Sequence, residues 1–354
     1  MKNKIISTIF IVYLLFFAIF HICLEDNNMS VTERRELSSF PSVSLSSEYV
    51  KKLDKYLLDQ FPYRDNFRGI KAIFNYNVLN RLENNGIYLK EDGIYKSNYP
   101  TNVSSINNFV TKINSIKKML SKDNNVYIMI VPDKNYYLED DDFLHIDYDY
   151  IYNEVSKLGI ENIDVTSVLS LDDYYKTDTH WRQENLFDVV KTMSTVMNFN
   201  YNYDKYNFNK YDNFYGVYYG ESAINREGEI LVYLTSETIN NASVKYLDND
   251  KLTSVYNLDK LNSFDPYEVY LDGASSYIEI TNPYNKDGRE LVIFRDSFGS
   301  SIAPLLINYY SKITLIDNRY ISSDYFMDYI KFNNQDVLFL YSTLFINSSS
   351  SLKG

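Results

Sequence analysis

The residues best suited to chemistry lie around the only tryptophan of this sequence. Trp181 directly follows His180, and Asp178 stands two positions before that histidine. The other histidines lack such a pairing, because His21 lies in an apolar N-terminal segment and His145 follows an acidic loop. A carboxylate that orients a histidine is one half of a hydrolase-type relay. The sequence therefore raises the question of a nucleophile elsewhere in the chain.

A serine at the start of a predicted helix supplies the candidate nucleophile. Ser297 lies in the run Phe294-Arg295-Asp296-Ser297-Phe298-Gly299, which closes an apolar segment and opens a helix-like one. At such a turn a backbone N–H and the helix N-terminus can stabilise an oxyanion. We expect His180 to act as the base. If the backbone is extended there, the side chain of Asp178 would point in the same direction as that of His180 and could orient the imidazole. Trp181 would line one side of the site and exclude water from it.

Each candidate also has a purely structural interpretation. Ser297 would serve equally as the N-cap of its helix, and Asp178 as the cap of the helix that follows His180. A metal site built on Asp178 and His180 has no second histidine or cysteine at ligand spacing, so we expect no metal and no cofactor. The acidic run Glu139–Asp142 is interpreted as a solvated loop, with calcium ligation as the alternative.

Strands and helices alternate along much of the chain, which predicts how these residues meet. Apolar runs predict buried strands, and helical spacing predicts the intervening helices. The predicted strands are 126–131, 162–165, 291–294, 313–316 and 337–341, and the predicted helices are 104–120, 183–197, 299–309 and 323–332. This order predicts a parallel sheet with helices on both faces. Ligands bind at the carboxyl ends of such strands, where Lys134, Ser297 and the turn Asp317–Arg319 fall.

Two regions do not follow this alternation. Two helices interrupted at Pro62 are predicted between residues 47 and 82. A Tyr-rich stretch, residues 199–285, is predicted to be a β-rich insertion with strand-like segments at Ile230–Leu234 and Val269–Leu271. The 36 tyrosines of the chain reflect either compositional drift or a carbohydrate-stacking surface, and the sequence leaves both open.

The N-terminus carries a hydrophobic segment. Ile5–Cys23 contains no charged residue and, at about 1.5 Å per residue, is long enough to cross the hydrocarbon core. Lys2 and Lys4 place the short side in the cytoplasm. Because no small-residue cleavage motif follows, we expect an uncleaved anchor rather than a signal peptide. The expected organisation is an anchor at residues 1–24, a polar tether at 25–46 and a catalytic domain at 47–354.

The composition of the chain limits the kinds of partner and of covalent cross-link that we expect. The net charge of −12 argues against nucleic acid and anionic lipid as partners, since either would need a basic surface. Cys23 is the only cysteine, so no intrachain disulfide can form.

Several motifs resemble one family. The stretch Tyr175–Trp181 resembles the Asp-x-His-Trp signature of the SGNH-like acetyltransferase proteins of alginate assembly, the AlgX and AlgJ type. It also resembles their Gram-positive relatives, the DHHW proteins. Further matches follow in family order at Asp59–Asp65, Val131–Lys134, Arg295–Phe298 and Ile316–Tyr320. Two departures are Thr179, where the DHHW signature has a second histidine, and Arg295, where ordinary SGNH esterases have the glycine of Gly-Asp-Ser.

The resemblance implies an SGNH-hydrolase-like three-layer α/β fold with a Ser-His-Asp triad. By position Ser297 becomes the nucleophile, His180 the base and Asp178 its orienter, while Arg319 would help hold the oxyanion and Lys134 would support the site. No cofactor is implied.

The resemblance also implies a function outside the cytoplasm. The protein would be a membrane-anchored O-acetyltransferase of a Gram-positive-like bacterium. Its substrate would be an exopolysaccharide or cell-wall glycan, and a membrane-bound O-acyltransferase would supply the acetyl groups. A glycan acetylesterase and a non-catalytic glycan-binding or assembly protein remain open as alternatives.

Overall fold

The computed structural model describes residues 2–138, 143–202, 205–247, 249–286 and 288–353. The chain divides into two compact units: Met1–Ile87 with Tyr219–Arg226, and Tyr88–Tyr218 with Glu227–Gly354. The acidic run Glu139–Asp142, for which we expected a solvated loop or a calcium site, lies outside the described residues.

The smaller unit is built from three helices. Its elements are α1 (Lys2–Cys23), β1 (Met29–Ser30), β2 (Arg35–Glu36), α2 (Ser47–Asp59), α3 (Arg64–Ile73) and β3 (Glu83–Asn84). Within α1, Asn3–His21 is long and apolar enough to cross a membrane. The predicted break at Pro62 is confirmed, since it falls between α2 and α3. A single π-helical segment, Phe74–Val78, continues α3.

The segment predicted as a polar tether makes specific contacts within this unit. The guanidinium of Arg35 donates to Asp59 at the end of α2, with its Nη2 2.6 Å from Oδ1. The backbone N–H of Asn27 donates to the side chain of Gln60 over 2.9 Å. Arg35 therefore holds the pKa of the Asp59 carboxyl well below its ordinary value. These contacts attach residues 25–46 to α2.

The larger unit is organised around a mixed sheet. Its strands are β4 (Ile87–Lys90), β5 (Gly93–Lys96), β6 (Asn125–Val131), β7 (Glu161–Asn162), β8 (Asn207–Phe214), β9 (Glu229–Thr235), β10 (Ser243–Tyr246), β11 (Asn249–Thr253), β12 (Tyr277–Thr281), β13 (Glu290–Arg295), β14 (Lys312–Ile316) and β15 (Asp336–Ser342). The main sheet has the order β11-β10-β12-β14-β13-β15-β6-β7. Strands β14, β13, β15, β6 and β7 are parallel, as predicted.

Helices cover this sheet on both faces. They are α4 (Val103–Lys117), α5 (Tyr148–Ser156), α6 (Phe187–Met197), α8 (Glu237–Asn241), α9 (Phe298–Leu306), α10 (Ser323–Phe326) and α11 (Thr343–Asn347), whereas α7 (Val217–Ser222) begins in this unit and ends in the smaller one. Along β13, Leu291 and Ile293 enter one hydrophobic cluster, while Val292 and Phe294 enter the other. Burial on both faces explains why this strand is a continuous apolar run. The three-layer α/β architecture predicted from the sequence is confirmed.

The Tyr-rich region differs in detail from its prediction. Strands β10 to β12 extend the main sheet in antiparallel fashion, and only β8 and β9 form a separate hairpin. The predicted strand Val269–Leu271 is wrong, because Pro266–Val269 forms a 3₁₀ turn with proline at its start. Several tyrosines of this region are core residues that donate to backbone carbonyls, among them Tyr256 and Tyr270.

One helix is shorter than predicted. The helix expected at 323–332 is regular only over Ser323–Phe326. Beyond it, Ile330 is still buried in the second hydrophobic cluster. The apolar spacing that suggested a longer helix therefore reflects burial of an irregular segment.

Candidate functional site

The nucleophile candidate lies at a rigid strand-to-helix turn. β13 ends at Arg295 and α9 begins at Phe298, so that Ser297 occupies the N-cap position. Its hydroxyl makes no capping bond. The neighbouring Asp296 fixes the turn instead: its Oδ1 accepts the Phe298 N–H over 3.0 Å, and its Oδ2 accepts the N–H and hydroxyl of Ser342 over 2.8 and 2.7 Å. The Ser297 hydroxyl is left available for another partner.

That partner is His180. The imidazole Nε2 lies 2.7 Å from the Ser297 Oγ, and Nδ1 lies 2.6 Å from the Asp178 Oδ1. An ionised carboxylate can only accept, which assigns the proton to Nδ1 and leaves Nε2 to accept from the serine. The His180 side chain is 13% exposed and that of Asp178 1% exposed. Two neighbouring positions, Asp178 and His180, and the distant Ser297 thus form one continuous relay.

The acid–base loop, residues 174–181, lacks the extended backbone on which the predicted pairing of Asp178 with His180 was conditional. It is a series of bends and not an extended strand, closed at its base by an antiparallel bridge between Tyr174 and Trp181. Asp178 therefore reaches His180 by a local turn: its Oδ1 also accepts the His180 backbone N–H over 3.0 Å. Its Oδ2 accepts the Val217 N–H over 2.8 Å. Asp178 does not cap the next helical turn, whose N-cap residue is Arg182.

Two charged side chains hold the acid–base loop from outside. Lys134 Nζ donates to the carbonyls of Tyr175 and Lys176, each over 3.0 Å. Glu229, at the start of β9, accepts the N–H of Lys176 over 2.7 Å through Oε2. Its Oε1 accepts the N–H and hydroxyl of Thr177 over 2.7 and 2.6 Å. Just before Asp178, the backbone carbonyls are therefore held by Lys134 and the backbone N–H groups by Glu229.

Lys134 is an unusual lysine. It is 3% exposed, and its ammonium nitrogen lies 4.9 and 5.0 Å from the ring centres of Tyr95 and Tyr218. Burial lowers the pKa of Lys134 to about 7, although nearby carboxylates including Asp178 oppose the shift. The predicted supporting residue thus contacts the acid–base loop and not the Ser297 hydroxyl.

Aromatic residues fix the imidazole plane. The Tyr267 ring stacks on His180 with centroids 3.9 Å apart and planes 9° apart. The Tyr267 hydroxyl donates to Ser301 Oγ over 2.8 Å, and Trp181 Nε1 donates to the same oxygen over 2.8 Å. Trp181 is fully buried in the core, so it anchors the end of the loop and does not line an open pocket.

Two arginines contribute positive charge at this end of the sheet. The Arg319 guanidinium donates to the Asp317 carboxylate, with Nη2 2.6 Å from Oδ2, and these are its hydrogen bonds within the described part of the chain. The structure therefore pairs Arg319 with Asp317, and its guanidinium makes no hydrogen bond to Asp178, His180 or Ser297 among the described residues. Arg295 is buried behind the nucleophile turn and donates to Ser300 Oγ over 2.9 Å. Burial lowers the pKa of Arg295.

Sequence reasoning missed three residues of the site. Glu229 and Tyr267 lie in the Tyr-rich region, where no local motif marks them. The third is Gly216, where an added Cβ would lie 2.3 Å from the Thr177 carbonyl and 2.4 Å from the Asp178 Cβ. Glycine is required there because the backbone passes against the acid–base loop. None of these roles is visible without the long-range contacts.

Comparisons with known proteins support the fold. The chain matches no protein-family model and no curated protein. Among solved structures it is similar to a DHHW family protein from Eubacterium siraeum, with 20% identity, a TM-score of 0.63, and coverage of 77% of this chain and 97% of that one. It is also similar to Bacillus cereus PatB1 with a sulfonyl adduct, with 18% identity, a TM-score of 0.58, and coverage of 73% and 95%. Another structure of PatB1 gives 16% identity and a TM-score of 0.57, with coverage of 73% and 96%.

At these identities the likeness establishes a shared fold. The α/β fold with a mostly parallel central sheet, predicted from the sequence, is thereby confirmed, and a DHHW family protein is among the structures that share it. The activity and the roles of individual residues must be argued from the site itself.

Proposed function

We propose that this protein is a membrane-anchored O-acetyltransferase that modifies an exopolysaccharide or cell-wall glycan through an acetyl-Ser297 intermediate. The observation that supports this most strongly is the relay from Asp178 through His180 to Ser297, with contacts of 2.6 and 2.7 Å. A serine hydroxyl becomes an effective nucleophile when an oriented base accepts its proton. The acetyl group and the glycan are inferred from the resemblance of the motifs to O-acetyltransferases.

The first half-reaction would load the enzyme. The Ser297 oxygen attacks the acetyl carbonyl of the donor while His180 Nε2 takes the hydroxyl proton. The backbone N–H of Ser297, at the N-terminus of α9, would stabilise the resulting oxyanion, with Arg319 as a second source of positive charge. As the tetrahedral intermediate collapses, the bond to the leaving group breaks and His180 returns the proton to it. Asp178 remains ionised and stabilises the imidazolium.

The second half-reaction would transfer the acetyl group to a sugar. A sugar hydroxyl gives its proton to His180 and attacks the acetyl-Ser297 carbonyl, and the proton then returns to the departing Ser297 oxygen. The products are an acetylated sugar and free enzyme. Two half-reactions through one covalent intermediate predict ping-pong kinetics.

The proposed location follows from α1. One apolar helix near the N-terminus is compatible with an anchor or with a signal sequence. We favour an uncleaved anchor with the remaining chain outside the cell, because Lys2 and Lys4 precede the uncharged segment Ile5–Cys23 and no cleavage motif follows it. In that position a membrane-bound O-acyltransferase would be the natural acetyl donor.

The test is to trap the intermediate. Full-length protein in detergent should release p-nitrophenol from its acetate ester, and mass spectrometry of the quenched reaction should find one acetyl group on Ser297. Ser297→Ala should abolish the labelling and lower the rate by about 10⁴-fold or more. The matched control is Ser115→Ala, because Ser115 is exposed on α4 and should leave the rate unchanged. An unchanged rate in Ser297→Ala would contradict the proposal.

Product analysis separates the remaining possibilities. With bare oligosaccharide present, a transferase yields acetylated sugar, whereas an acetylesterase yields free acetate and removes acetyl groups from acetylated oligosaccharide. A non-catalytic glycan-binding protein would give no acyl-enzyme, and its glycan binding would be unchanged in both Ser297→Ala and His180→Ala.

A further inference from the structure

The smaller unit presents a continuous apolar surface to solvent. We call it the apolar face, formed on α2, α3 and the π-helical segment by Leu57, Leu58, Phe61, Phe67, Ile70, Phe74 and Val78. Every one of these side chains is exposed, Leu58 and Ile70 by more than 60%. Along α3 and the π-helical segment that continues it, the members are spaced three and four residues apart, which places them along one side. Apolar surface of this extent and regularity usually marks a contact with a membrane or a partner.

The apolar face is continuous with the candidate membrane span. The Phe17 ring of α1 stacks on Phe61 with centroids 5.4 Å apart and meets the edge of Phe67 at 5.8 Å. Phe20 stacks on Tyr63 at 5.8 Å. The membrane-spanning window of α1 ends at His21, so Phe17 lies about 6 Å inside it at about 1.5 Å per residue. Phe61 and Phe67 therefore lie at the depth at which interfacial helices bury their apolar side, about 5–10 Å.

The charge of this segment differs from that of the whole chain. Residues 47–82 contain seven basic and four acidic side chains, within a protein of net charge −12. Lys51, Lys55 and Lys71 are exposed. Exposed lysines on helices that also expose apolar side chains are typical of helices that lie on anionic lipid. The overall charge of the chain, which argued against anionic lipid, does not describe this region.

We propose that α2, α3 and the π-helical segment lie in the membrane interface with the apolar face in the lipid. The smaller unit would then be attached to the membrane by the apolar face as well as by α1. A lipid surface is favoured over a soluble partner because the face continues directly from the membrane span and carries basic residues beside it. The proposal rests on the proposed function only through the role of α1 as an anchor.

The test measures contact with lipid at single positions in the full-length protein. Cys23→Ser removes the only cysteine, and one new cysteine at a time then carries a fluorophore. The protein is reconstituted in phosphatidylcholine–phosphatidylglycerol vesicles that contain nitroxide-labelled lipid. Probes at Leu57→Cys and Ile70→Cys should be quenched about threefold or more strongly than a probe at Lys52→Cys, on the opposite side of α2. The reference for a fully inserted position is Ile11→Cys in α1.

Each other outcome would overturn the proposal for a distinct reason. If Ile11 is quenched but Leu57 and Ile70 are no more quenched than Lys52, the apolar face does not lie in lipid and only the anchor stands. The vesicles can also be fused with membranes that contain other proteins. If the probes on the apolar face become shielded from water only after that fusion, the face binds a protein partner. If Ile11 is not quenched, α1 is not an anchor. Acetyl-ester turnover on the same vesicles reports the proposed catalysis independently of all three.

Discussion

The two halves of the relay are positioned in contrasting ways. The nucleophile turn is fixed by its immediate surroundings: β13 leads in, α9 leads out, and Asp296 ties the turn to Ser342 on the adjacent strand β15. The acid–base loop has no regular structure of its own. It is held by Lys134 after β6 and by Glu229 on β9, which are far from it in sequence.

This difference separates two kinds of determinant. A strand-to-helix turn is set by local hydrophobic pattern and helix geometry, so its serine can be located from a short stretch of sequence. A loop of bends takes its shape from the polar groups that satisfy its backbone. Its conformation should therefore be more sensitive to single distant substitutions than the nucleophile turn is to changes at comparable distance.

Among substitutions outside the relay itself, the largest effect is expected from removing Glu229. Its carboxylate accepts three hydrogen bonds from Lys176 and Thr177 and also pairs with Arg182 at 2.9 Å. In Glu229→Ala these buried donors lose their acceptor, and we expect Asp178 and His180 to shift. A misplacement of about 1 Å can lower kcat by about 100-fold. The measurement is acetyl-ester turnover, with the fluorescence of Trp181 as the check on folding.

Two further variants sharpen this prediction. Glu229→Gln keeps one acceptor oxygen and should recover part of the lost rate, which general destabilisation would not explain. Glu290→Ala removes a surface carboxylate that pairs with Lys312 over 3.2 Å, and it should leave the rate unchanged because exposed ion pairs contribute little. A wild-type rate in Glu229→Ala would show that the acid–base loop keeps its shape without this residue.

The sequence predicted the parts of the fold that depend on local pattern. The buried parallel strands β6, β13, β14 and β15 were all located, because each is a short apolar run. Ser297, His180 and Asp178 were singled out from their types and neighbours, and the structure brings them within hydrogen-bonding distance.

The rest of the site depends on contacts that no local pattern reveals. Tyr267 was one of 36 tyrosines, and the segment Val269–Leu271 just after it was predicted to be a strand. The sequence made the pairing of Asp178 with His180 conditional on an extended backbone, but the loop bends there, where it is hydrogen-bonded by the side chains of Lys134 and Glu229 and by the backbone N–H of Gly216. Arg319 was placed at the correct end of the sheet, but its pairing with Asp317 depends on a tight turn that spacing alone did not specify.

A smaller effect is expected at Tyr267, which orients the base through ring contact. Tyr267→Leu removes the surface stacked on His180 and should lower kcat by about tenfold, since such contacts contribute about 0.5–1.5 kcal/mol. Tyr267→Phe keeps the ring and loses only the bond to Ser301, so its rate should stay within about twofold of wild type. Equal losses in both variants would mean that the hydroxyl, and not the stacked ring, positions His180.

The smallest expected effect is the contribution of Lys134 to the pH dependence of stability. Burial lowers the pKa of Lys134 to about 7 from 10.5, so between these values the unfolded chain binds more protons than the folded one. The free energy of unfolding should therefore rise with pH in this window, by roughly 1 kcal/mol per pH unit. Measurements belong between pH 7 and 9, below the onset of tyrosine ionisation, with urea unfolding followed by Trp181 fluorescence.

Substitution of Lys134 tests whether this residue, and not another titrating group, causes the pH dependence of stability. Lys134→Met cannot titrate and should remove that part of the slope, whereas Lys118→Met, at an exposed position on the same unit, should retain it. A neutral amine still has two N–H groups, enough for the carbonyls of Tyr175 and Lys176. In the wild-type protein the acid–base loop should therefore stay hydrogen-bonded to Lys134 after this residue loses its proton. The free-energy cost of burying its charge then disappears. An unchanged slope in Lys134→Met would assign the pH dependence to other groups and leave Lys134 protonated across the range.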